Sequence, residues 1–417
     1  MAKFYRDHFA LHELASDNTI TKLSKCLELI EGSEFKDELM ELFDFNSLLE
    51  ADESIAISGL NKIMSSVIQR DKRYKKIDIK THISDISLVE SIDENTIKLR
   101  FKNLENSSGE KFSIDAKTVY SSKRDYFEGF YKMEKFANFC ISEGHFALLS
   151  KNVEYLNEQY EDSDALIKSF RLLQDAEGEY YVRAITSANS YYDYNIRFSL
   201  FVTILALHKV TKEAGISFSI NYCEYSESFI RVYFEKNNQT IIPEVGKLNF
   251  ILEMSNDEIK REAFKFSGVF TLTINTNNEE ARIYLKPKSI KTKLISIKHN
   301  YLPKTVTEYL AMLADFIRSA EEEMTEDIKE IHKIKNPDEL RFTLSRKIEL
   351  SNTLGLADFK KVIKETLDVK INNVSELLVL MDKVDKIVTD LELKEYLRYV
   401  YYDLLRDKNN PKDSDSK

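Results

Sequence analysis

The chain has 417 residues, 43% of them hydrophobic and 31% charged, with a net charge of −10. That is a globular composition with apolar material for two or three domains, and its ten glycines and five prolines are too few for long disordered linkers. The excess of 70 acidic over 60 basic residues argues against a protein that coats duplex DNA with its whole surface, while leaving room for a local basic groove.

The N-terminus, MAKFYRDHFALHE, lacks the apolar core of a signal peptide. No run of about 18 apolar residues occurs, so no membrane span is expected. Cys26, Cys140 and Cys223 are too scattered for a disulfide framework or a zinc site. They read as small buried hydrophobes and fit a reducing cytoplasm, which is the expected location. No cofactor or metal is expected.

Residues 1–70 read as a helical segment. Ile20, Leu23, Cys26, Leu27 and Ile30 fall at helical spacing, and Phe35, Leu39, Leu42 and Phe43 repeat it after Gly32-Ser33. Residues 1–50 carry eleven acidic and five basic side chains. Over 71–162 the period changes to a small antiparallel set of strands at 76–120, shown by the alternation Ile97-Lys98-Leu99-Arg100-Phe101-Lys102, and then returns to helix. Residues 163–300 predict a central α+β domain. It opens with a strand–turn–strand over Phe170–Leu173, Asp175–Gly178 and Tyr180–Ile185. A tyrosine-rich loop follows, then a helix over 196–214 closed by Gly215. A hairpin at 218–234 and strands at 247–254, 264–275 and 281–298 complete the domain. From 301 to 406 the pattern is helical, with Asn336-Pro337-Asp338-Glu339 as a capped helix start, Gly355 as a stop, and helices over 356–367 and 373–406. The tail 407–417 is polar and expected to be disordered. The fold class is therefore α+β, with a helical N-terminal segment, a central mixed or antiparallel sheet region with packed helices, and an all-helical C-terminal third.

Few residues suggest chemistry. His8 and His12 would share one helix face, but no third metal ligand is near and the order is not that of a metalloprotease helix. Glu321-Glu322-Glu323 with Glu326 and Asp327 reads as a solvated helix end or, alternatively, a metal-binding cluster. No phosphate-binding glycine loop and no nucleophile elbow occurs. Tyr191, Tyr192 and Tyr194, flanked by Arg183 and Arg197, have the composition of a stacking platform for unpaired bases. The alternative is a packed turn in which Asp193 or Asn195 caps the next helix. The acid-free run Arg282, Lys286, Lys288, Lys291, Lys293, Lys298 and His299 could track a phosphate backbone, or could be a lysine-protected edge strand. Arg70, Lys72, Arg73, Lys75, Lys76 and Lys80, interleaved with Tyr74, carry the same two readings.

Three strings carry a family likeness: Val182-Arg183-Ala184-Ile185-Thr186-Ser187 with Tyr192-Asp193 and Asn195; Gly246-Lys247-Leu248 with Ser255-Asn256-Asp257-Glu258; and the basic run to His299 followed by helices holding Gly355-Leu356-Ala357-Asp358-Phe359. Over about residues 165–406 this order resembles a family of phage- and plasmid-encoded proteins whose domain has no assigned function. The family's Cys-Asn-Gly is missing here, where Phe270–Asn275 stands. The resemblance implies mobile-element biology and supplies no catalytic residue. The first expectation is thus a phage- or plasmid-encoded cytoplasmic protein that binds nucleic acid, single-stranded DNA above all, without catalysis. The alternative is a protein-interaction factor of a mobile element (a host-defence inhibitor, adaptor or assembly protein) that docks through its acidic N-terminal helices. A metal-dependent nuclease is the third.

Overall fold

The computed structural model describes residues 7–9, 20–105, 108–159, 166–259, 261–275, 280–287, 295–352 and 357–407. The chain opens with β1 (Asp7–Phe9), β2 (Thr21–Lys22), a 3-10 helix (Leu23–Leu29), α1 (Lys36–Leu42), α2 (Phe45–Glu50), β3 (Ser54–Ile55) and α3 (Leu60–Asp71). Next come β4 (Lys75–His82), β5 (Ile86–Ser91), β6 (Ile97–Glu105), β7 (Lys111–Thr118), α4 (Ser122–Tyr131), α5 (Glu134–Ser142), α6 (Phe146–Gln159), β8 (Ile167–Gln174) and β9 (Tyr180–Ser187). The helix α7 (Ile196–Ala214) leads into β10 (Phe218–Tyr225), β11 (Phe229–Lys236), β12 (Thr240–Ile242), β13 (Gly246–Asp257), β14 (Phe264–Asn275), β15 (Glu280–Leu285) and β16 (Ile295–Ile297). The described chain ends in α8 (Pro303–Ala311), α9 (Leu313–Ile328), α10 (Pro337–Leu350), α11 (Ala357–Leu367), α12 (Val374–Ile387) and α13 (Leu391–Asp407). The fold is α+β, and no described helix is long and apolar enough to cross a membrane.

Two sheets organise two cores. In the larger sheet the order is β1-β10-β11-β13-β14-β15, with β12 on β13 and β16 on β14, and every pairing is antiparallel. One face carries Val232, Phe234, Phe250, Leu252, Phe270, Leu272 and Ile283 into a core shared with the N-terminal segment, α7 and the C-terminal helices. The smaller sheet runs β4-β8-β9-β7-β6-β5, with β7 and β9 parallel. Its core, from Ile79 to Ile185, is closed by α4, α5 and α6 through Tyr126, Phe127, Cys140, Leu149 and Val153. The α7 helix is buried on all sides over Phe198–Leu207, where it is almost wholly apolar, and exposes Lys209, Lys212 and Glu213 in its last turns. Asn195 Oδ1 accepts the Phe198 N–H at 2.9 Å at its start, and Gly215 ends it with a φ of 68°.

Several elements differ from the sequence-based expectation. Ile167–Ser187 belongs to the smaller sheet, and the segment from Leu23 to Ile68 packs into the larger core rather than standing apart. The 281–298 strand is two strands, β15 and β16, both on β14. The helix expected over 373–406 breaks at Val388–Asp390, where Asp390 Oδ1 accepts the Leu393 N–H at 3.0 Å and starts a new helix. Pro337 opens α10 as expected, but the Asn336 side chain makes no capping bond. His8 lies in β1 rather than in a helix, and His12, Gly355 and the tail 408–417 lie outside the described residues.

Candidate functional site

The two sheets meet at Glu258, the residue after β13. Its N–H donates to the Ser228 carbonyl at 2.8 Å, which continues the β11–β13 ladder. Its carboxylate accepts from Lys76 Nζ on β4 at 2.9 Å, from Arg183 Nη1 on β9 at 2.9 Å, and from the Ile196 N–H at the start of α7 at 3.0 Å. Its carbonyl accepts from Arg171 Nη1 at 2.6 Å and from the Tyr191 hydroxyl at 3.1 Å. One residue therefore ties β4, β8 and β9 to β13 and α7. Arg171 also pairs with Asp78 and Asp193, and Lys76 with Asp71. Burial alone would push the Glu258 carboxyl up, but Lys76, Arg183 and Arg171 outweigh it and hold the group at about 2. The group is a fixed anion and not a proton donor at neutral pH.

Residues from the three sequence strings come together around this centre. Arg183 reaches Glu258 and Ser228. Asn256 donates to the Tyr194 carbonyl at 2.7 Å, and its Oδ1 lies 3.1 Å from His299 Nε2. The Tyr191 ring stacks on His299 at 4.8 Å, and Arg171 sits over the Tyr191 ring, 5.2 Å from its centroid. Burial and the Arg171 charge push the His299 imidazole down to about 4, so it is neutral at pH 7.

The open stacking platform expected of the tyrosine loop is not present. Tyr194 is fully buried, stacked on Phe198 at 4.3 Å, with its hydroxyl donating to the Tyr301 carbonyl. Tyr191 and Tyr192 are half-buried, and Phe35 meets the rings of Tyr192 and Tyr194 edge-on. Arg183 is 1% exposed. Arg197 donates to the Glu28 and Glu31 carbonyls. The loop is the packed turn of the alternative reading, with Asn195 as the cap.

Of the basic run, Arg282, Lys286 and His299 are likewise used internally. Lys286 is 5% exposed and pairs with Glu253 on β13 and Glu395 on α13, and Arg282 pairs with Glu235 at 2.6 Å. His299 is buried, Lys298 is exposed, and Lys288, Lys291 and Lys293 lie outside the described residues. Around Lys286 the second face of the larger sheet is polar: Arg231, Tyr233 and Glu235 alternate with Ile230, Val232 and Phe234 along β11. Glu395 and Arg398 of α13 close over it, with the Tyr233 hydroxyl 2.7 Å from both Glu395 Oε1 and Arg398 Nη1. Burial raises the Glu395 carboxyl, yet Lys286, Arg398 and Arg231 keep it at about 2.

The acidic stretch near residue 321 is divided among separate partners: Glu321 with Lys236, Glu326 with Lys329, and Asp327 with Tyr402. Among the described residues no cluster of three metal-ligating side chains occurs. In the other basic cluster Arg70 is buried and Lys76 serves Glu258, while Lys72, Arg73, Lys75 and Lys80 are exposed. Arg171 and Glu395 were not signalled as site residues by motif. The signal for Arg171 was its place inside the apolar run Phe170-Arg171-Leu172-Leu173, because a charge on a strand covered on both faces must be paired.

Beside the Glu258 centre lies a cleft of about 1000 Å³. It is bordered by α4 and the start of α5 on one side, and by the ends of β8 and β9 with the turn after Glu258 on the other. The N-terminal segment forms a different surface. From Glu28 to Asp52, nine carboxylates are exposed: Glu28, Glu31, Glu34, Asp37, Glu38, Glu41, Asp44, Glu50 and Asp52. Lys36 is the single cation of that stretch. Compared with known proteins, the chain matches no family model, no curated protein and no solved structure.

Proposed function

We propose that this chain is a protein-interaction factor that docks through the acidic face of its N-terminal segment onto a basic surface of a partner. The observation that carries the reading is the nine exposed carboxylates between Glu28 and Asp52, a stretch whose one cation is Lys36, with Lys22 from outside it paired to Asp52. Such a one-signed face steers and orients a partner of opposite charge. The helices beneath it are anchored by Leu29, Leu39 and Phe45 in the larger core, so the charges are presented on a fixed support. The likeness of three strings to phage- and plasmid-encoded proteins is the support for a mobile-element setting. The test is capture of host-lysate proteins after nuclease treatment, with the native chain and with Glu31→Lys, Glu34→Lys, Glu38→Lys and Glu41→Lys combined. One recurrent basic protein should be retained by the native chain, lost at about 0.5 M salt, where the screening length falls to a few ångströms, and absent from the variant. Equal capture by both would end this reading.

Binding of single-stranded nucleic acid is the second reading, supported by the exposed group Lys72, Arg73, Lys75 and Lys80 at the α3–β4 corner. Affinity for a labelled oligonucleotide should then fall steeply with salt and vanish when those four residues are replaced by alanine. No binding at about 50 mM salt would remove it.

A further inference from the structure

We propose that the cleft beside Glu258 is a binding site for a short extended peptide that bears a basic side chain and a carboxylate. The cleft, about 1000 Å³, lies at the top of the range of about 300–1,000 Å³ found for small-ligand sites. It sits where the two sheets join, a preferred location for such sites. One side presents Arg124, Asp125 and Glu128 of α4 and Glu134 of α5; the other presents Lys168 of β8 and Arg261. Phe130, Ile185 and Ile259 supply apolar lining. Among the described residues no ion pair joins the two sides. Arg261 is turned to Asp257 at 2.7 Å, Asp125 bonds the Ser121 hydroxyl at 3.1 Å and lies 3.9 Å from Arg124, and Glu128 lies 3.9 Å from Lys132 of its own helix. With Arg124 set against Asp125, the α4–α5 side keeps a net negative charge through Glu128 and Glu134, and a ligand that bridges the cleft meets this excess of acid on one side and Lys168 with Arg261 on the other.

Arg261 is held in place before any ligand arrives. The Asp257 carboxylate, itself buried, accepts from the Ile259 N–H at 2.8 Å and from Arg261 Nε at 2.7 Å, and Tyr120 lies under the Arg261 guanidinium at 4.7 Å. Preorganisation of this kind lowers the ordering cost of binding. The strand geometry favours a peptide. β7 pairs with β9 only along Ala116–Thr118 and Tyr180–Val182. β9 runs on past that point, and Thr186 and Ser187 at its end border the cleft. Thr186 is buried and Ser187 exposed, so an extended chain would meet β9 at Ser187. A nucleic acid fits poorly, since its phosphates would face Glu128 and Glu134. A single zwitterionic amino acid would leave most of the volume unfilled.

The experiment is fluorescence anisotropy of the full chain with labelled hexapeptides. One set carries a lysine or arginine at each position and a free C-terminal carboxylate. Matched sets carry norleucine for the base, or an amide for the acid. The zwitterionic set should bind, with about tenfold loss in either matched set, as expected for removal of one charge contact. Lys168→Glu and Glu128→Lys should each weaken binding by a similar factor. Lys168→Glu should also prefer the amidated set, a reversal that general unfolding cannot produce. Binding indifferent to both substitutions, absence of binding by every set, or displacement by free lysine or by an oligonucleotide in place of peptide would overturn the proposal. The site is separate from the acidic N-terminal face. Peptide binding that persists in the four-lysine variant described above, and partner capture that persists in Lys168→Glu, keep the two readings distinguishable.

Discussion

His299 sits between the Tyr191 ring and Asn256 with its imidazole pushed down to about 4 from an ordinary 6.5 by burial and by Arg171. The unfolded chain takes up that proton near pH 6.5, whereas the folded chain resists until about 4. The contribution is therefore present above pH 6.5 and is lost as the pH falls from 6.5 toward 4, and it is on the order of 3 kcal/mol. Glu258, held at about 2 against an ordinary 4.5, acts in a lower window, its contribution being lost as the pH falls from 4.5 toward 2. His299→Gln keeps an amide facing Asn256 and removes the proton site. Urea denaturation at pH 7, 6 and 5 should show stability falling in the native chain and a flatter profile in the variant; equal slopes would mean that His299 does not titrate on unfolding in this window. At this scale the site was half legible. The strings containing Arg183, Asn195, Asn256 and His299 were conspicuous, and they do converge. Their burial was not legible, because alternation along a strand distinguishes two faces without telling whether the second face meets water or another sheet.

Elements with strong local signals were read from the sequence: the β8–β9 hairpin, α7 with its Asn195 and Gly215 ends, and the start of α10 at Pro337. The β15–β16 division was not, since both pieces pair with one strand, β14, through registers separated along its length. Gly246 shows what a local signal costs to change. It opens β13 opposite Ile242 with a φ of 153°, and a Cβ there would lie 2.4 Å from the Thr273 carbonyl oxygen of the next strand. Gly246→Ala must shift main chain and should cost more than about 2 kcal/mol, the range of strained backbone positions. Gly129, inside α4 with nothing within 4 Å of its would-be Cβ, supplies the contrast. Gly129→Ala should gain about 0.5–1 kcal/mol from helix propensity. Thermal melts of the two variants should move in opposite directions, and a Gly246→Ala chain as stable as the native one would show that the β13–β14 contact is slack.

Across the whole molecule the smaller lobe, Lys75–Ser187, is an insertion between two parts of the larger one, and this arrangement explains why boundaries drawn in chain order could not separate them. The two apolar cores do not merge; the polar contacts that join the lobes centre on Glu258 of the larger, on which Lys76, Arg171 and Arg183 of the smaller are gathered. Ionic coupling of this kind depends on complete pairing. Removing one partner of a buried pair leaves the others desolvated and costs about 3–5 kcal/mol. Glu258→Ala leaves the Arg183 guanidinium, 1% exposed, without its carboxylate. It also frees the Ile196 N–H that opens α7. The loss should fall on the junction, so the lobes should cease to unfold together. Native-state hydrogen exchange reads this directly. In the native chain the amides of β6–β7 and of β13–β14 should share one opening free energy. In Glu258→Ala the β6–β7 amides should open at a lower cost than those of β13–β14, because the larger core keeps its own apolar packing. A uniform drop across both sheets would mean that Glu258 supports the larger core itself rather than the joint between two separately packed lobes.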